Sequence, residues 1–374
     1  MKKVFGFVAN YFRQTDKWLL LLCIAASSYS VALLAGIQYS EYITQKQFLT
    51  QLLASAFGIV CAVILSKIDY HVLAELWKLH SALGYFLVIL TLFLGQNIGG
   101  NKAWLNIPFI NIGMQPSEFL KISFILTYAF HLDNVKDELN SPLNIALLLA
   151  HGMLPILMIH FIQRDDGTAL VFFVIFFVML FAAGLSWKYV GYGAAASVVF
   201  VPILWFFVLS ENQKDRFIAL FNPEANIQQT MHQQYNASLS IGSGKIWGNG
   251  LFTGEHRYIY AMHNDFIFAF VGEALGFIGS LSVVALLIAI CLRILFTSTF
   301  AHDILGKNIC VGVFAMIAFQ SIINIGMCLG LLPVIGITLP FFSAGGTSVT
   351  ALYLGVGLAL SVYLHSKRTL FLGR

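Results

Sequence analysis

Charge is what this chain has least of. Only 10% of its 374 residues are Asp, Glu, Lys or Arg, against roughly 25% in an ordinary soluble domain, so a water-solvated globule is excluded. The Lys and Arg residues form no block, and the net charge of +4 is spread along the chain. That removes the electrostatic footprint of a nucleic-acid binder, and no nucleic-acid partner is expected. Cysteine is scarce as well. Cys23, Cys61, Cys291, Cys310 and Cys328 all lie inside apolar runs without ligand-like spacing, so neither a disulfide framework nor a zinc site is indicated, and they read as packing residues. No fixed-period repeat, low-complexity tract or appended soluble domain is seen, and residues 1–374 read as a single membrane domain.

What the chain does have is hydrocarbon: 59% hydrophobic residues, 34 of them Phe, and a mean hydropathy of +0.82. Ten apolar stretches occupy roughly 18–36, 49–66, 81–95, 118–132, 143–161, 168–184, 189–209, 265–296, 307–329 and 346–365. Most approach the ~20 residues needed to cross a bilayer as helix. The fold class follows: an all-α polytopic membrane protein of about ten transmembrane helices. The first stretch is longer than the roughly 7–15 apolar residues of a signal peptide and is kept as an anchor.

Ten spans place both termini on one side. With that side inside, inner segments carry thirteen of the 21 Lys and Arg (Lys2, Lys3, Arg13, Lys17, Lys67, Lys78, Lys136, Lys188, Arg293, Lys307, Lys367, Arg368 and Arg374), leaving eight outside. Positive charge stays inside, so both termini are expected in the cytoplasm. Three outer segments then stand out: 96–117, the short 162–167, and a large outer loop at about 210–264 between the seventh and eighth spans.

Polar residues inside or at the edge of spans are costly and point to function, although snorkelling and helix capping are the bland alternatives. Glu118 and Lys121, after Pro116 in Gln115-Pro116-Ser117-Glu118, share one helix face at i, i+3 and can pair. Asp165 and Asp166 sit in a very short turn before Gly167. Adjacent carboxylates repel, so Asp166 is expected to be solvated or to cap the next helix, while Asp165 either caps or points into the bundle. Asp265 lies where the polar loop becomes an apolar helix, with Glu273 about 80° around and one to two turns deeper. Gln320 and Asn324 lie at i, i+4, and the Pro/Gly-rich run from Gly330 to Gly346 is expected to be re-entrant or cavity-lining, because irregular backbone at membrane depth must be buried or face water.

These strings, in this order, resemble the SEDS family (RodA/FtsW/SpoVE). The resemblance rests on Gln115-Pro116-Ser117-Glu118 with Lys121, Asp165 with Gly167-Thr168-Ala169, Gly184-Leu185-Ser186-Trp187, and Ile241-Gly242-Ser243-Gly244. It continues through His263 with Asp265-Phe266-Ile267-Phe268, Asn324-Ile325-Gly326-Met327, Gly330-Leu331-Leu332-Pro333 and Gly345-Gly346, and spans about residues 18 to 365. The chain departs from the usual pattern at Asn264, at Ala103 before Trp104, at Ala344, and in Tyr235–Ser240. The resemblance implies a multi-pass protein of the cytoplasmic membrane that polymerises lipid II into β-1,4 glycan on the outer face. It also implies a class B penicillin-binding protein as transpeptidase partner, with a RodA-like role in cell shape favoured over division.

On that resemblance Asp265 is the expected catalytic carboxylate, a base on the 4-hydroxyl of the acceptor sugar. Glu118, Lys121, Asp165, Arg216, His263, Ser243 and Lys245 are the expected substrate-binding residues, and Arg257 is a further cation for the leaving pyrophosphate. No metal site or cofactor is required, although carboxylates beside a pyrophosphate can hold a divalent cation, Mg²⁺ or Mn²⁺, with Asp265 then a ligand. A lipid-linked precursor flippase or transporter is the alternative from another class, and a non-catalytic scaffold of a wall-synthesis complex is the third.

Overall fold

Short polar side chains set the helix starts. Asp16, Thr44, Ser141, Asp165 and Asp303 each accept a hydrogen bond from a backbone N–H of the first turn they precede, satisfying donors that the helix itself leaves open. The computed structural model describes residues 11–98, 100–107, 112–221, 232–253 and 255–372. Lys2, Lys3 and Arg374 of the inner charge count therefore lie outside the described residues, as does part of the large outer loop.

In chain order the helices are α1 (Lys17–Tyr39), α2 (Gln45–Ser66), the short α3 (Tyr70–Glu75) and α4 (Trp77–Leu94). After three strands come α5 (Pro116–Asn134), α6 (Pro142–Met158, continued by a π-helical turn to Gln163), α7 (Asp166–Ala182) and α8 (Trp187–Ile203, likewise continued to Val208). The chain closes with α9 (Glu211–Phe221), α10 (His232–Ser243), α11 (Ile267–Ser298), α12 (Ile304–Cys328) and α13 (Gly346–Leu372).

Each of the ten apolar stretches coincides with one of these helices. Eight are long and apolar enough to cross a membrane. The other two are α7, 17 residues long, and α5, which carries Glu118, Lys121 and Asp133. Helices α5, α12 and α13 are buried along most of their length and form the centre, whereas α8 has no buried residue.

Two outer segments carry secondary structure that the sequence reading does not assign. The segment 96–117 is not simply a loop in an all-helical chain. Strands β1 (Gln96–Ile98), β2 (Asn101–Ile107) and β3 (Ile112–Met114) form a small antiparallel sheet in the order β1-β2-β3 that leads into Pro116. The region 210–264 is not irregular either, since α9 and α10 occupy much of it. Its polarity reads as loop because neither helix needs a wide apolar face at an aqueous boundary.

Helix α11 is broken at Gly276, where φ is 66°. The turn after α10 clasps the break backbone to backbone: Phe277 N–H donates to Lys245 O (2.8 Å) and Ile278 N–H to Ile246 O (3.3 Å), while Asn249 and Gly250 N–H donate to Glu273 O and Ala274 O (both 2.9 Å). Such contact requires glycine. A Cβ on Gly244 would lie 1.9 Å from Gly272 O, so Gly244→Ala is expected to cost about 1–3 kcal/mol and to lower the melting temperature in detergent.

Helices α1 and α11 run antiparallel. Arg293 Nε bonds the buried Asp16 carboxylate (2.8 Å) at one end, Tyr29 meets Gly279 in the middle, and Gly36 packs on Phe270 at the other. At 1.5 Å per residue these ends are about 30 Å apart, one hydrocarbon thickness. Asp265 therefore lies at the opposite end of the bundle from Asp16.

Candidate active site

Three helix starts and one irregular segment converge at that end. Asp165, not Asp166, caps α7: its Oδ1 accepts from Thr168 N–H (3.0 Å) and its Oδ2 from the Thr168 hydroxyl and from Gln115 Nε2 (both 2.9 Å). Asp166 turns the other way and pairs with His160 Nδ1 (2.5 Å) and with Gln213 Nε2 of α9. The turn thus separates two neighbouring carboxylates that repel. In the first turns of α5, Lys121 Nζ lies 2.9 Å from Glu118 Oε1, and the two side chains are 1% and 7% exposed, so this is a desolvated ion pair and not a snorkelling one.

Asp265 sits in a tight turn, two residues before α11 begins. The N–H groups of Asn264 (2.9 Å) and Asp265 (3.0 Å) both bond Ala261 O, and Ala261 is left-handed with φ 57°. Among the described residues no side chain hydrogen-bonds or ion-pairs with the Asp265 carboxylate, which is deep yet partly accessible. Burial, and then the negative charge of Asp165, push its pKa up from 3.8 to about 6. Asp165 is also raised, by burial first. Its hydrogen bonds with Thr168 and the charge of Lys121 pull the other way, and Glu118 adds to the rise. A nearly neutral pKa on an unpaired carboxylate is what a general base needs near pH 7.

The irregular segment from Gly330 to Gly345, buried from Leu339 to Ser343 but exposed at Leu331 and Gly336, forms the wall between the two aspartates. A Cβ on Gly167 would meet Ile335 O at 2.5 Å, and one on Gly336 would stand 3.8 Å from Asp265 Oδ2. At the rim, Arg216 of α9 donates to Val334 O (2.9 Å) and remains exposed. His263 is half-buried, its Nε2 3.5 Å from Gln47 Nε2, and burial lowers its pKa.

The other expected site residues lie elsewhere. Ser243 and Lys245 belong to the clasp at Gly276, about 15 Å along α11 from Asp265 by helical rise. There Lys245 and Trp247 are exposed, the latter by 79%. Glu273 also serves the fold: it accepts from the Ser240 hydroxyl and from Arg257 N–H (2.9 Å) and lies 3.8 Å from His256 Nδ1, tying α10 and the 256–257 backbone to α11. Sequence reading missed the contacts of the buried Gln51 and Gln234 and the partly exposed Asp166–Gln213 contact. Of these only Gln51 carried a signal, an amide inside an apolar stretch.

The profile of a family described as a cell cycle protein, FtsW/RodA/SpoVE, matches residues 13–368. This chain belongs to that family. Among FtsW/RodA/SpoVE relatives, it is 29% identical over 360 residues to the peptidoglycan glycosyltransferase MrdB of Escherichia coli K12, covering 94% of each chain. It is 30% identical over 375 residues to stage V sporulation protein E of Bacillus subtilis 168, covering 95% of this chain and 99% of that one. A solved chain from a peptidoglycan synthase complex that coordinates polymerization and crosslinking superposes with a TM-score of 0.80 at 25% identity, over 94% of this chain and 98% of that one. As a FtsW/RodA/SpoVE member with this set of apolar helices, it is a multi-pass protein of the cytoplasmic membrane.

Proposed function

We propose that this chain is an inverting peptidoglycan glycosyltransferase that polymerises lipid II on the outer face of the cytoplasmic membrane, beside a class B penicillin-binding protein that crosslinks the product. The observation that carries this reading is the Asp265 carboxylate, without a side-chain partner among the described residues and with its pKa raised to about 6, at the end of the bundle away from Asp16 and Arg293. With ten spans, α5 and α7 included, and both termini in the cytoplasm, that end faces outward. The names of the relatives MrdB and SpoVE, and the complex that holds the structural relative, favour the same activity and the same kind of partner in wall synthesis for shape, division or sporulation.

Making a β-1,4 bond from an α-linked lipid pyrophosphate inverts the anomeric carbon, so direct displacement needs one base and a site for the leaving group. Asp265 takes the proton from the acceptor 4-hydroxyl as that oxygen attacks C1 of the donor. Lys121 is occupied by Glu118 and sets the local field at Asp165, while the exposed Arg216 retains N–H groups beyond the one on Val334 for the departing pyrophosphate. His263 flanks the acceptor side.

Among the described residues no group of three or more His, Cys, Asp or Glu is arranged to hold a metal. A divalent cation would therefore be held chiefly by the substrate's own phosphates.

The test is direct. The purified chain, incubated with lipid II, Mg²⁺ and a candidate class B partner, is expected to yield long glycan on a gel, and omitting the cation reports its requirement. No polymer with any partner, together with movement of lipid II across a bilayer, would replace this reading with transport.

A further inference from the structure

The carbonyl oxygens of three successive residues before α11 are all taken by groups from elsewhere in the fold. His263 O accepts from Ala344 N–H (2.8 Å), Asn264 O from the Ser343 hydroxyl (2.5 Å), and Asp265 O from Asn324 Nδ2 (2.8 Å). Asn324 Nδ2 also reaches Ile337 O (2.7 Å), and Ser343 Oγ accepts from Leu339 N–H (2.7 Å), so the same two side chains shape the wall segment. Behind Ser343 stands Gln51 of α2, whose Oε1 accepts from Gly345 N–H (2.9 Å) and whose Nε2 donates to Ser343 O (3.2 Å). Asn324, Gln51 and Ser343 are all buried.

These are costly polar groups to place in apolar surroundings, and they are spent on backbone. Their common effect is on Asp265. Its N–H is held by Ala261 O and its C=O by Asn324, yet its carboxylate has no partner among the described residues. A largely desolvated carboxylate without hydrogen bonds gains free energy by moving further into water, and a shift of the turn that carries it would take it there. A backbone fixed from both sides resists that shift, which is the requirement for supporting a reacting group from behind.

We propose that Asn324 and Ser343, with Gln51 behind Ser343, are positioning residues that hold the turn bearing the Asp265 carboxylate, and so its depth beside the wall segment, by clamping the carbonyls of residues 263–265. This rests on the glycosyltransferase reading above and adds to it the residues that make Asp265 competent as a base.

The test uses the full-length chain with its transpeptidase partner and follows lipid II polymerisation against pH for wild type, Asn324→Leu, Ser343→Ala and Ser343→Thr. In Asn324→Leu and Ser343→Ala, kcat is expected to fall about tenfold or more with KM within about twofold. The acid limb of the profile should move down by about one pH unit as Asp265 reaches water. Ser343→Thr, which keeps the hydroxyl, should return both the rate and the limb. An acid limb unmoved in folded Asn324→Leu and Ser343→Ala, whatever their rates, overturns the proposal, because a general packing defect lowers rate without retuning the base. Melting temperature and co-purification with the partner establish folding. Should Asn324→Leu not fold, the Ser343 pair carries the same test. A wild type that makes no polymer at any pH would instead sink the glycosyltransferase reading.

Discussion

Asp265→Asn is expected to reduce glycan polymerisation by about 10²–10⁴-fold, the contribution of a well-placed base, while leaving the protein folded. The swap keeps shape and removes the acceptor of the proton. Stability provides an internal control with a definite sign. Burial and Asp165 raise the folded pKa of Asp265 to about 6 from the ordinary 3.8, so the folded state binds more protons than the unfolded one between those values. Stability is therefore lost as pH rises through that window, and at pH 7 the ionised carboxylate destabilises the fold. The Asn variant should melt at an equal or higher temperature than wild type at pH 7, and a lower melting temperature would count against the burial argument. The same displaced pKa places the acid limb of the wild-type rate profile near pH 6, with activity falling about tenfold per unit below it. A limb near pH 4 would mean an ordinary solvated carboxylate and remove Asp265 as the tuned base.

Lys121→Met carries the largest expected cost in stability. Removing the ammonium leaves Glu118, 6% exposed, with no countercharge in the centre of the bundle, and breaking a buried pair in this way costs on the order of 3–5 kcal/mol. The site suffers as well, because Lys121 pulls down the pKa of Asp165, whose charge adds to burial in raising that of Asp265. Polymerisation should fall together with melting temperature. The double change Glu118→Gln with Lys121→Met should recover most of the stability without recovering full activity. If it restores both, the pair is only a packing device; if Lys121→Met alone leaves the melting temperature unchanged, the pair is not desolvated in the membrane. Thermal unfolding of wild type and the two variants in one detergent, read beside polymer yield, decides between these.

Much of this was legible in the chain, and the reason differs from element to element. The apolar stretches marked every long helix because lipid leaves the backbone no solvent partner, so composition alone forces helix there. The Glu118–Lys121 pair followed from i, i+3 spacing, and the partly buried irregular wall followed from Pro and Gly at membrane depth. Ser243 and Lys245 show where such reading ends. Their Gly-rich turn looks like a ligand loop, but Gly244 and Gly248 are small because backbone lies against the backbone of α11. Glycine reports close approach without saying to what.

The two small helices of the outer region escaped notice because α9 and α10 lie at a water boundary, where no apolar stripe is demanded of them. By itself, then, the sequence determined the solvent of the protein, its helices, its family resemblance and the carboxylate on which the chemistry rests. Each of these depends on local composition or on short spacings along one helix. Tertiary structure decided which of Asp165 and Asp166 faces inward, that Glu273 ties elements together, and that Asn324, Ser343 and Gln51 hold the turn bearing Asp265. Those outcomes depend on contacts between residues up to 294 positions apart, and the burial that retunes Asp265 exists only once those distant segments have closed around it.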